Sequence, residues 1–158
     1  MELTHRATTT VDAPVGAVYA LVSDVTRTGE WSPTCHACVW EDPAERGVGA
    51  RFTGHQRTAT REWSTTSTVV TAVPGQEFSW EVGQGYVRWG YLLSTQGGGT
   101  VLTHTWEFTE AGQRFFEEKY GQDAPTEVAQ RTAAARADIP RTLEAIRALA
   151  EGEYQGEK

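Results

Sequence analysis

The stretch Gly99–Phe108, GTVLTHTWEF, decides the fold class. Leu102, His104, Trp106 and Phe108 alternate with Val101, Thr103, Thr105 and Glu107, a period of two that belongs to a strand and not to a helix. One face is aromatic and aliphatic, and the other carries threonine and acid. Such a strand is wet on one side and must be covered on the other.

Working back from it, the same alternation returns several times. Val87, Trp89, Tyr91 and Leu93 share a face opposite Arg88 and Gly90, and Phe78, Trp80 and Val82 share one opposite Ser79 and Glu81. Before them come Trp63, Thr65, Ser67 and Val69, then Phe52, Gly54 and Gln56. QGGGT and VPGQE supply turns, so the strands follow one another as an antiparallel meander. Cys35–Trp40 reads as a further strand, with His36, Cys38 and Trp40 facing one way and Cys35, Ala37 and Val39 the other.

The N-terminal third differs. Residues 3–11 form a threonine-rich alternating strand. Pro14 sits where a first helical turn accepts it, and Val15, Val18, Tyr19 and Val22 follow at helical spacing. Asp24 caps a second short helix running to about Trp31, and Pro33 ends it.

The cover comes from the C-terminus. Val128, Thr132, Ala135, Ile139, Leu143, Ile146 and Leu149 recur at steps of three and four, a stripe on one long helix. Pro140 interrupts it, so either the helix kinks or Asp138 caps a fresh final helix. Residues 110–126, with FFEEKYG, are expected to form a short helix or lid that gates entry to the interior. The architecture is therefore α+β: a curved antiparallel sheet of six to seven strands around a long helix, with two short helices after strand 1. Residues 1–152 make one domain and 153–158 a solvated tail.

Composition removes several functional classes. A net charge of −7 gives no basic footprint for nucleic acid, and no apolar run approaches membrane-spanning length. MELTHRATTTV lacks the apolar core of a secretory leader, and two cysteines make no disulfide framework, so a cytoplasmic, reduced protein is expected. Six tryptophans are more than a plain core of this size needs. Oligomeric state is open.

VDAPVGAVYALVSDVTRTGEWSP at 11–33, GARFTGH at 49–55, WSTTSTVV and PGQEFSWEV from 63, GTVLTHTWE at 99–107 and RTLEAIRALAEG at 141–152 together resemble the helix-grip superfamily of START and Bet v 1 type. Within it the sequence is similar to the bacterial polyketide cyclase/dehydrase-like branch. The resemblance covers nearly the whole chain. It implies a hydrophobic cavity between sheet and helix for a small aromatic or lipidic ligand. It does not fix an activity, because members include cyclases, lipid and quinone carriers and hormone receptors.

The tryptophans decide how that cavity is read. Trp63, Trp80, Trp89 and Trp106 all fall on the inward face of their strands, interleaved with Gln56, Thr65, Ser67, Tyr91 and His104. A dry core avoids unpartnered hydroxyls and amides, whereas a ligand cavity wants aromatic walls with a few polar anchors. Trp31, Ser32 and His36 are expected near its mouth. Cys35, His36 and Cys38 form a lone C-H-x-C with no second ligand pair, and the strand parity points the thiols apart; neither a metal nor a disulfide is expected.

Two main readings of function follow. One is binding of a small hydrophobic or aromatic molecule as carrier, sensor or sequestering module, with no cofactor. The other is a cofactor-independent cyclase or dehydrase, with His104 as acid/base assisted by Tyr91. A third is a protein-interaction module of the same fold.

Overall fold

The computed structural model describes residues 3–156. The chain runs β1 (Leu3–Val11), α1 (Val15–Val22), a 3₁₀ helix (Val25–Glu30), β2 (Cys35–Trp40), β3 (Arg51–Arg57), β4 (Glu62–Val73), β5 (Glu77–Val82), β6 (Val87–Gln96), β7 (Gly99–Phe108), α2 (Glu110–Tyr120), a 3₁₀ turn (Gly121–Asp123) and α3 (Ala124–Gly156). The strands form one antiparallel sheet in the order β1-β7-β6-β5-β4-β3-β2, so β1 and β2 are its edges.

Register carries the sequence alternation into space. Leu93 stands opposite Leu102, Tyr91 opposite His104, Trp89 opposite Trp106 and Val87 opposite Phe108. Trp80 pairs with Trp89 and Phe78 with Tyr91 across the next ladder. Directly opposed residues share a face, so these pairs build one continuous aromatic surface. Asp24 caps the 3₁₀ helix as the sequence predicts, accepting a hydrogen bond from the Thr26 amide at 3.2 Å.

Helix α3 covers part of that surface, packing chiefly against β1 and β7. Ile139 and Ile146 are fully buried there, with Leu143, against Leu102 and Phe108. Pro140 lies inside one continuous helix, exposed, and Asp138 caps nothing; the reading of a fresh final helix does not hold. The proline lacks an N–H, but the carbonyl it leaves free belongs to exposed Arg136, where water can satisfy it. α3 also runs through Gly156, so the expected tail from 153 begins as helix; residues 157 and 158 lie outside the described residues.

A second apolar cluster gathers Val25, Cys35, Cys38, Trp40, Phe52, Val69 and Phe78 at the other end of the sheet. Trp80 packs against both clusters.

Helix α2 stands on the turn between β5 and β6. Thr109 caps it, accepting from the Gly112 amide at 3.0 Å while its hydroxyl donates to the Gly85 carbonyl at 2.6 Å. Gly112 lies so close to the Tyr86 backbone that a Cβ there would overlap it, and Phe115 stacks on Tyr86 at 4.2 Å.

Truncating the α3–sheet contact tests this arrangement. Ile146→Ala should cost about 2–5 kcal/mol in denaturant unfolding, while Arg141→Ala on the exposed face should stay within about 0.5 kcal/mol. Equal losses would mean that α3 is not seated as described.

Candidate functional site

Because α3 sits over the β1–β7 end, the concave face from β3 to β6 is not filled from above. Towards this region the helix presents the short Ala134, Ala135, Asp138 and Thr142 beside Gln130, Arg131 and Ile139. What remains is a cavity of about 770 Å³, walled by both apolar clusters. Exposed lining residues come from the β3–β4 connection (Thr58, Thr60 and Arg61) and from Lys119 and Gln130, which marks where the cavity meets solvent.

Of the twelve residues expected to form the pocket, all but His36 line this cavity. Trp63, Thr65 and Ser67 project from β4, Trp80 from β5, Trp89 and Tyr91 from β6, and His104 and Trp106 from β7. Trp63, Trp80 and Trp89 are only half-buried, whereas Trp106 is packed away. Gln56 accepts a weak bond from the Thr34 hydroxyl at 3.4 Å. Trp31 is buried at 5% exposure rather than placed at a rim. The Ser32 hydroxyl is engaged locally, accepting from the Cys35 amide at 2.9 Å.

His36 is the correction. Its side chain is exposed, outside the cavity lining, with its ring 6.3 Å from that of His55. The cause is a register shift between Cys35 and Ala37 in the β2–β3 ladder. A bulge breaks strict alternation, so residues on either side of it can share a face. Cys35 and Cys38 therefore both turn inward, with their sulfurs 3.6 Å apart, and the expectation that the thiols diverge is overturned.

His104 is held on three sides. Its ring stacks on Tyr91 at 4.3 Å and on Trp89 at 5.3 Å, and Nδ1 lies 2.9 Å from the Gly90 carbonyl. A carbonyl only accepts, so Nδ1 carries the proton and Nε2 is left as an acceptor in the neutral ring. Burial pushes the imidazole down to about 4, against a smaller opposing effect of the Gly90 bond. Burial likewise raises the Tyr91 phenol, so both groups are neutral at ordinary pH.

Apart from the gate at 110–126, the sequence reading missed the helix side of the cavity. Phe116 of α2 and Ile139 of α3 line it, as do three cations set against rings. Arg61 lies 4.3 Å from the Trp63 ring centre, Lys119 5.3 Å from that of Tyr120, and Arg131, paired to Glu127 at 2.9 Å, sits 5.4 Å from that of Phe116. Asp138 is half-buried, which raises its carboxyl despite Arg141 nearby. The stripe of small residues on α3 was the available signal, since a helix meant only to pack would carry larger side chains there. Among the described residues no three histidines, cysteines or acids gather as a metal site.

A curved antiparallel sheet gripping a long C-terminal helix around an internal cavity defines the helix-grip class. Residues 3–151 match the family described as polyketide cyclase / dehydrase and lipid transport, and the chain belongs to it. It is similar to the polyketide-cyclase-like protein Cgl2372 from Corynebacterium glutamicum, whose solution NMR structure aligns with a TM-score of 0.72 at 46% identity, over 97% of this chain and 94% of that one. The fold also matches StfQ, a di-domain aromatase/cyclase of the steffimycin biosynthetic pathway, at TM-score 0.71 and 16% identity over 97% of this chain and 52% of that one. Protein NE0264 from Nitrosomonas europaea aligns with a TM-score of 0.67 at 14% identity, over 96% of both chains. No curated protein matches the sequence.

The buried imidazole makes a signed prediction. The folded His104 titrates near 4 and the unfolded one near 6.5, so the unfolded chain takes up the proton first as pH falls. Stability should drop between those values by roughly 3 kcal/mol. His104→Gln should remove that slope in denaturant unfolding measured from neutrality to acid; an unchanged slope would place the titrating group elsewhere.

Proposed function

We propose that the cavity binds a small hydrophobic or aromatic molecule, polyketide-like or lipid-like in chemistry, between indole faces. The observation that supports this most is that Trp63, Trp80 and Trp89, each only half-buried, all line a cavity of about 770 Å³. Aromatic surface left open inside a fold is stabilised by whatever covers it, and the volume lies within the roughly 300–1,000 Å³ of small-molecule sites. Ser67, Gln56 and the Nε2 acceptor of His104 would orient the ligand. Arg61 and Lys119 would meet a polar end at the entrance, and α2, carrying Phe115 and Phe116, would act as the gate.

Binding is favoured over cyclisation or dehydration by the state of His104. An acid/base for either reaction works best when it titrates near neutrality, and this imidazole is held near 4. Tyr91, raised by burial, is a hydrogen-bond donor rather than a proton shuttle. An interaction module would have no use for the cavity. We place the protein in the cytoplasm, in keeping with two free cysteines; among the described residues no helix is long and apolar enough to cross a membrane.

Titration with a hydroxyanthraquinone, followed by tryptophan emission, tests the proposal. One saturable site is expected. Trp80→Ala should weaken binding about tenfold. Ala134→Leu, which extends an exposed α3 position into the cavity, should weaken it without loss of stability. His104→Gln should change affinity less than Trp80→Ala does. Absence of a saturable site would defeat the binding reading. Turnover of a poly-β-ketone that falls about 10²–10⁴-fold in His104→Gln would replace it with the enzyme.

A further inference from the structure

Residues 35–38 read CHAC, two cysteines separated by two residues, and they are the only cysteines in the chain. Three features bring the pair together. The register shift between Cys35 and Ala37 turns both side chains to the interior. The thiols then lie 3.6 Å apart, both buried, in the wall of the cavity. Below them β3 has Gly54, where a Cβ would stand 3.4 Å from the Cys35 sulfur and 3.5 Å from that of Cys38. A side chain there would crowd the Gln56 amide at 3.0 Å and lie against both sulfurs.

We propose that Cys35 and Cys38 form a reversible redox dithiol, closing to a disulfide by exchange with a low-molecular-weight disulfide admitted through the cavity. The sulfurs must close from 3.6 Å to a bond of about 2.05 Å, and the bulge between Cys35 and Ala37 is where the strand would yield to let them. Entry through the cavity fits the geometry, because both thiols are covered from outside and line the open interior.

The two sulfurs are not equivalent. Cys35 is lowered, first by the hydrogen bond from Cys38 and then by Ala37, His55 and Gln56, against its burial. Cys38 is raised by the same shared bond and by burial. Either sulfur can donate in the shared contact, and the exchange balances with Cys35 attacking and Cys38 resolving. Cys35 attacks one sulfur of the reagent R–S–S–R, forming a mixed disulfide and releasing one RS⁻, which takes up the proton Cys35 has lost. Cys38 then gives up its proton and attacks the Cys35 sulfur, and a second RSH leaves. One reagent S–S bond breaks and one protein S–S bond forms. The protein loses two electrons and two protons, and the reagent gains them. This holds whether or not the cavity also takes up a hydrophobic ligand.

The test is to expose the folded full-length chain to hydroxyethyl disulfide, then follow intact mass and the thiols open to alkylation after denaturation. The expected product has lost two hydrogens and both alkylatable thiols, and dithiothreitol restores them. Cys38→Ser and Cys35→Ser should each stop at one mixed disulfide on the remaining cysteine. Two adducts per wild-type chain would overturn the proposal. So would a folded chain that stays unmodified where the urea-unfolded chain is oxidised.

Discussion

A single straight helix cannot cover the concave face of a strongly curved seven-stranded sheet, and most of what is distinctive here depends on that mismatch. α3 seats its large side chains, Ile139, Leu143 and Ile146, where it meets β1 and β7. Towards the rest of the sheet it offers alanine, aspartate and threonine. Packing that would stabilise a closed core is given up over the middle strands, and the interior there stays open. The 3₁₀ helix after α1 and helix α2 close the sides. Their anchoring depends on local contacts, the Asp24 cap for one and Thr109 with Gly112 against Tyr86 for the other.

His104 and Tyr91 face each other across β6 and β7, stacked, buried and neutral. Trp89 completes a column of rings with them. Such a column is a rigid surface with one acceptor and one hydroxyl, suited to holding a flat molecule in one orientation. The charges sit on the helix side and the β3–β4 connection, each against an aromatic ring. A ligand with an apolar body and a polar end matches this division.

Much of this was legible in the residues. Alternation over Gly99–Phe108 and its upstream repeats set the sheet and its inward face, and the stripe from Val128 to Leu149 set the helix. What failed did so where one local event overrides periodicity. The bulge at Cys35/Ala37 turned His36 out and brought the two thiols together, and nothing in EWSPTCHACVW signals a bulge by composition. Pro140 gave two readings that only packing could separate, since an exposed free carbonyl costs a helix little when the helix is held on its other face. On the helix side the gate at 110–126 was expected, but the α3 lining was signalled only by small residues, which do not say what they leave empty.

The central claim is that the interior is open in order to be occupied. Native mass spectrometry of the protein purified from its own cells, followed by denaturing extraction, tests it most directly. One small apolar or aromatic compound per chain is expected, lost on denaturation, whose removal lowers stability and shifts tryptophan emission. An empty chain, whose stability and emission no aromatic or acyl compound alters, would contradict it.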